Sequence, residues 1–219
     1  FFFQAEDGIR DKLVTGVQTL CSSDLTTVYV TSPGEHPNGI GVLSAWIDGN
    51  RVVLPTAALY KKGESAQSAL EREGKAMAIS KIDAALAAKN YLNESGIYAK
   101  PTWHGADVQI DMKKVGGSSA GLAFALAIIA KSADPNLIND RKIAVTGTIT
   151  ANGQVGAIGG IDQKILGAAK SGASIFIAPR ANCSEISKHP QGMEIFAVSN
   201  LEQAVGALKN TGIFACPRK

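Results

Sequence analysis

The chain has 219 residues, 45% of them hydrophobic and 19% charged, an ordinary globular balance that suffices to bury one real core or at most two small ones. Its 22 basic and 19 acidic residues leave a net charge of +3, spread along the chain without the basic runs or aromatic-interleaved stripes that track a phosphate backbone, so nucleic acid is not an expected partner. No apolar run approaches the roughly 18 to 20 residues needed to cross a bilayer, and a soluble chain is expected.

The first 25 residues stand apart. Gln4 to Asp11 (QAEDGIRD) and Val14 to Thr19 (VTGVQT) match what common sequencing adapters encode when translated. Residues 1–25 are therefore expected to be adapter-derived rather than selected to fold, with the native N-terminus missing, and one domain over residues 26–219 is expected. Cys21 falls in the excluded segment. Cys183 and Cys216 fit no zinc spacing, and the scattered His36, His104 and His189 form no ligand cluster, so no metal or other cofactor is expected. A Cys183–Cys216 disulfide and a pair of free buried thiols are equally compatible with the sequence.

In chain order, Thr26 to Thr31 is rich in β-branched residues and is stopped by Ser32-Pro33-Gly34, which reads as a strand and a loop. Glu64 to Leu92 is Ala-rich and free of proline, with Leu70, Met77, Ile82 and Leu86 at helical spacings and Gly74 a point of division or kinking. A loop over Asn93 to Gly105 precedes the alternating Val108, Ile110 and Met112, a half-buried strand that feeds Gly116-Gly117-Ser118-Ser119. Ala120 to Ala130 is apolar on nearly every face and must be a central, buried helix. Ile143 to Thr150 and Val155 to Ile158 flank Asn152-Gly153, a two-residue hairpin signal. A helix over Ile161 to Ser171, strands over Ser174 to Ala178 and Glu194 to Val198, and a capping box Ser199-Asn200-Leu201-Glu202 opening a last helix complete the pattern. The order is mixed α/β with hairpins, without the strict alternation of a doubly wound sheet.

Two residues carry the chemistry. Ser119 sits where a glycine turn meets a buried helix, whose first N–H groups lack intrahelical partners and lie at the positive end of the macrodipole, a ready oxyanion site. Gly116, Gly117 and Gly121 remove side chains that could block an approaching peptide. The bland alternative is that Ser118 or Ser119 only caps the helix. The histidines lie in loop-like segments and no G-x-S-x-G elbow exists, so the base is sought elsewhere. On the helix after Gly159-Gly160, Ile161, Ile165 and Ala168 form an apolar stripe at i, i+4 and i+7, and Lys164 occupies i+3 of the same stripe. Burial lowers a lysine pKa and makes a neutral amine available to take the serine proton, whereas the bland reading has Lys164 snorkel to solvent. Lys170 lies on a different face.

From about Asp107 to Lys209 the chain resembles the Lon peptidase family. The family's P-S-A-G nucleophile motif is matched by Ser118-Ser119-Ala120-Gly121, its T-G-x-I strand by Thr146-Gly147-Thr148-Ile149, and its I-G-G-x-x-x-K motif by Ile158-Gly159-Gly160-Ile161-Asp162-Gln163-Lys164. The resemblance implies the α/β Lon proteolytic architecture, similar to domain 2 of ribosomal protein S5, with residues 26–106 as an N-terminal part and 107–219 as a catalytic core. It also implies Ser119 as nucleophile, Lys164 as base, and Thr146, Gly117, Ala120 and Gly121 in support. Protein or peptide substrates and a ring-like homo-oligomer follow from the same likeness. Ser118 replaces the usual proline, and Gly116 stands where ATP-dependent members often have aspartate. The latter is similar to the membrane-anchored bacterial branch that carries a PDZ domain, with Trp46-Ile47-Asp48, Tyr60 and Gly63-Glu64-Ser65 as weaker matches. No room for a PDZ domain exists between Leu92 and Val108. That branch implies an extracytoplasmic setting, with a membrane contacted only through a missing N-terminal anchor. No G-x-x-x-x-G-K-[ST] is present, so no ATPase engine is expected in this sequence. A catalytically silent Lon-like module is the competing expectation; such modules typically lack a dyad residue, and both are present here.

Overall fold

A computed structural model describes residues 2–4, 25–27, 43, 47, 51–53, 61–96, 117–133, 136–139, 141–212 and 215–216. The expected strand over Val108 to Met112, most of the Asn93 to Gly105 loop, Gly116 and nearly all of the adapter-like segment lie outside the described residues.

The described elements are β1 (Phe2–Gln4), β2 (Leu25–Thr27), β3 (Arg51–Val53), α1 (Ala66–Glu94), α2 (Gly121–Ser132), β4 (Ile143–Val145), β5 (Thr148–Ile149), β6 (Val155–Gly156), α3 (Ile161–Lys170), β7 (Ile175–Pro179), a 3-10 turn (Arg180–Glu185), β8 (Glu194–Val198) and α4 (Leu201–Leu208). Strands β2, β4, β7 and β8 form a parallel sheet in that order, β5 pairs with β6 as a hairpin, and β1 pairs antiparallel with β3. Of the strand expected over Thr26 to Thr31, Thr26 and Thr27 lie in β2, and residues 28–31 lie outside the described residues.

Side chains alternate across a strand, and that alternation splits the core in two. Ile143, Val145, Ile175 and Ile177 join the helices α1, α2 and α4 in one buried cluster, while Ala144, Phe176 and Ala178 join Ile158, Ile161, Ile165 and Ala168 of the α3 region in another. The sheet is therefore covered by α3 on one face and by the other helices on the opposite face. Helix α2 is buried along its length from Gly121 to Ala130, as an all-round apolar helix must be.

Helix α1 begins with a reciprocal box: the Ser65 side chain accepts from the Ser68 N–H while Ser68 Oγ accepts from the Ser65 N–H. It runs unbroken through Gly74, so the expected division is absent. The buried stripe also differs from the expected one. Met77 is buried, but Leu70, Ile82 and Leu86 are exposed, and the inward face is Ala69, Ser80, Ala84, Ala87, Ala88 and Leu92. Small residues let α1 pack closely on the Ala-rich α2, and the larger side chains are left outside.

Two turns depart from expectation. Asn152-Gly153 does not close a two-residue hairpin: Gly153 alone is left-handed, at φ 76°, its N–H donates to the Thr150 carbonyl, and Thr150 N–H donates to the Gln154 carbonyl. Only Gly is needed at φ > 0 in such a three-residue loop, whereas a two-residue turn asks it of Asn as well. The cap of α4 is Asn200, not Ser199. Asn200 accepts from the Gln203 N–H, and Gln203 reaches back to the Ser199 N–H, so the box is shifted by one residue and Glu202 plays no part in it. The structure resolves the cysteine alternatives: Cys183 and Cys216 are disulfide-bonded.

Candidate active site

Lys164 belongs to the helix on one face of the sheet and Ser119 immediately precedes the central helix of the other. They meet just beyond the carboxyl end of β4, the side of a parallel sheet where crevices form. Lys164 Nζ lies 2.8 Å from Ser119 Oγ and 3.3 Å from Thr146 Oγ1. Thr146 Oγ1 donates in turn to the Ser119 carbonyl at 3.3 Å. Thr146 continues the alternation that turns Ala144 toward α3, so the strand itself aims this hydroxyl at the amine. All three residues singled out for the dyad and its support are brought together.

The turn that carries Ser119 is held from three sides. Gly147 N–H donates to the Ser119 carbonyl at 2.8 Å and the Gly147 carbonyl accepts from Leu122 N–H, so the loop after β4 grips both sides of Ser119. Gly117, at φ 88°, donates to the Glu73 carbonyl of α1 at 3.0 Å, and this left-handed geometry suits glycine. Ser80, buried on α1, donates to the Ser118 carbonyl at 3.1 Å. Gly121 does not open a path for a peptide. A Cβ there would lie 2.6 Å from Ser80 Oγ and 2.9 Å from Ile149 Cγ2, so its missing side chain lets α1 and β5 close on the turn.

Neither Ser118 nor Ser119 caps α2. The cap position is Ala120, with no side-chain hydrogen bond. Gly121 N–H donates to the Ser118 carbonyl and Leu122 N–H to that of Gly147, whereas no acceptor among the described residues takes the N–H of Ser119 or Ala120.

Lys164 does not snorkel. It is 3% exposed, flanked by the buried Ile161, Ile165 and Ala168 of its own stripe, and burial brings its pKa down from 10.5 to about 8. Lys170 is exposed on the other side of α3. The backbone before α3 is reached by a residue that the sequence reading missed. Asn182, wholly buried in the 3-10 turn, accepts from Ile158 N–H at 3.0 Å and donates to the Ile158 carbonyl at 2.9 Å. Ser80 is not readily legible in the sequence because hydrophobic weight points to the larger apolar residues Leu70, Ile82 and Leu86 of α1, which lie outside. Its signal is a lone polar position within the stripe of Met77, Ala84, Ala87 and Ala88. Asn182 gave no signal, since a single Asn in a polar segment is indistinguishable from a turn residue.

Among the described residues no group of His, Cys, Asp and Glu could hold a metal ion, and His189 is exposed.

Sequence comparison supplies the context for this geometry. The chain is 40% identical over 91 residues to Lon protease 2 of Bacillus subtilis (strain 168), an overlap of 42% of this chain and 16% of that protein. It is 28% identical over 178 residues to the Archaeal Lon protease of Archaeoglobus fulgidus, covering 77% of this chain and 27% of that protein, and 43% identical over 75 residues to the Lon protease of Mesomycoplasma hyopneumoniae (strain 232), covering 34% and 8%. The chain thus spans about a quarter or less of the length of these relatives. The profile of the Lon protease (S16) C-terminal proteolytic domain matches residues 53–209, most of the sequence, with Ser119, Thr146 and Lys164 all inside the match. The chain belongs to the Lon protease C-terminal proteolytic domain family.

Proposed function

We propose that this chain is a serine endopeptidase that cleaves protein substrates through an acyl-enzyme on Ser119, with Lys164 as general base. The observation that carries the proposal is the buried Lys164 amine 2.8 Å from the Ser119 hydroxyl. A neutral amine takes the Oγ proton as Oγ attacks the scissile carbonyl carbon, and the new C–O bond leaves the negative charge on the carbonyl oxygen. The N–H groups of Ser119 and Ala120, which have no acceptor among the described residues, are suited to hold that oxyanion, a contact commonly worth about 3 to 4 kcal/mol when one donor is lost. The C–N bond then breaks as the lysine returns its proton to the leaving amine. Water, deprotonated by the same amine, attacks the ester; the C–Oγ bond breaks, the lysine returns that proton to Ser119 Oγ, and the acid product leaves. Thr146, bonded to both the amine and the Ser119 carbonyl, positions the pair.

Incubation with an unfolded protein such as reduced casein tests this reading. Fragments are expected with the intact chain and their loss, by about three orders of magnitude or more, with Ser119→Ala. Equal cleavage by both chains, or none by either, refutes the assignment, and the latter leaves the silent-module reading. Assembly into a homo-oligomer, implied by the resemblance to the Lon family, belongs to the same proposal and is checked by light scattering.

A further inference from the structure

We infer that Asn182 is a positioning residue for the general base, clamping the backbone that leads into the Lys164 helix. The inference rests on the dyad reading above. Helix α3 has no side-chain cap at its start, and its cap position, Gly160, is left-handed at φ 67°. Gly159 and Gly160 form a flexible joint, and a Cβ at Gly159 would meet nothing within 4 Å. Local structure therefore does little to aim the helix. The element that fixes the joint is remote in sequence. Asn182 exchanges two hydrogen bonds with the peptide groups of Ile158, imitating the pairing of a neighbouring strand, and its amide also donates to Glu185 at 3.1 Å. Two residues past the joint, Asp162 accepts from the backbone N–H groups of Ser187 and Lys188 and from the Ser187 hydroxyl. The segment from Arg180 to Lys188 thus grips the start of α3 on both sides of Gly159-Gly160. Cys183, the residue after Asn182, anchors that segment through its disulfide to Cys216.

The consequence concerns water. Lys164 is one turn into α3, its N–H bonded to the Gly160 carbonyl at 3.1 Å. A loosened joint lets the first turn of α3 shift outward, hydrates the amine and restores its ordinary basicity. Among the described residues, the polar side chains set against the amine are the hydroxyls of Ser119 and Thr146; α2 and β4 present apolar side chains to the core. The carboxylates of α3 and of the bracing segment, Asp162 and Glu185, are bonded to Ser187, Lys188 and Asn182, so a change in amine titration reports on hydration.

The test uses the full chain and Asn182→Ala, with disulfide integrity verified by thiol titration. Two readouts are measured: the pH profile of peptide cleavage, and titration of the Lys164 amine by NMR of 13Cε-labelled lysine assigned through Lys164→Met. The inference predicts that both midpoints rise by about one pH unit or more in Asn182→Ala, so that kcat falls about tenfold at pH 7.5 and largely recovers at pH 9.5, with KM little changed. An unmoved lysine midpoint, or activity lost equally at every pH, overturns it. If the wild type itself cleaves nothing, the peptidase reading fails while the lysine titration still decides the role of Asn182. Should Asn182→Ala show no cooperative unfolding, Asn182→Leu carries the same measurements, because it keeps the volume, adds no charge and loses both bonds to Ile158. Failure of both variants to fold assigns Asn182 to stability alone and refutes the positioning role.

Discussion

Lys164 meets two opposed demands. In the proposed mechanism the base must be neutral near working pH, which burial of the amine favours, yet below its pKa the same burial confines a charge. With the folded pKa at about 8 against 10.5 for the free side chain, the unfolded chain binds the proton more tightly, so stability rises with pH between those values and the cost is fully present below about 8. Two and a half units correspond to an upper bound of about 3 kcal/mol. Lys164→Met, similar in length and without a charge, is therefore expected to be more stable than wild type at pH 7 by about 1 to 3 kcal/mol, less the two lost hydrogen bonds, and inactive. Denaturant unfolding at pH 7 and near pH 10 checks this. The gap should shrink at the higher pH, and a constant gap would show that packing, not ionisation, sets it. Activity follows the opposite limb of the same equilibrium: cleavage is expected to climb through a midpoint near pH 8, because only the deprotonated amine can accept the Ser119 proton. A rate that is flat from pH 6 to 10 would exclude lysine as the base.

At the scale of elements, the site is a junction of four: α1, the turn before α2, the end of β4, and α3. Helix α1 holds the turn that carries Ser119 through Ser80 and the Glu73 carbonyl. Ser80→Ala keeps the Cβ and removes the bond to the Ser118 carbonyl, so a loss of about 1 kcal/mol in stability is expected, with a larger, roughly tenfold fall in kcat. Comparing the two losses by thermal unfolding and steady-state kinetics separates positioning from stability. A change in stability with kcat intact would assign Ser80 to packing. The same helix explains why its buried stripe was misread. Ile79, Ile82 and Leu86 are 59%, 61% and 43% exposed, while Ala84 and Ala88 are fully buried. Hydrophobic weight favours the large residues, but the approach of α1 to α2 selects the small ones, and this selection depends on the partner helix.

Across the whole molecule, the disulfide closes a separation of 33 residues and ties the C-terminal segment, which also bridges Phe196 with Ala215, to the bracing turn beneath α3. Loop-closure entropy for that length corresponds to about 3 to 4 kcal/mol. Replacing both cysteines with serine is expected to lower stability by an amount of that order, measured as a drop in denaturant midpoint with an unchanged slope. A bond of this kind persists where thiols are kept oxidised.

Much of this protein was legible without coordinates. The α2 helix, the α3 stripe carrying Lys164 inward and the glycine turn before Ser119 are written in local periodicity, because a helix or strand repeats its orientation every few residues whatever it packs against. Three motifs in order sufficed to pair Ser119 with Lys164, though 45 residues separate them. Tertiary packing alone decided the rest: which face of α1 turns inward, which residue caps α4, that the two cysteines meet, and that Ser80 and Asn182 hold the turns bearing the dyad. Each of these depends on a partner remote in the chain or on competition between near-equal local choices. Periodicity encodes neither, since the free energy that settles them is gained only when the partner arrives.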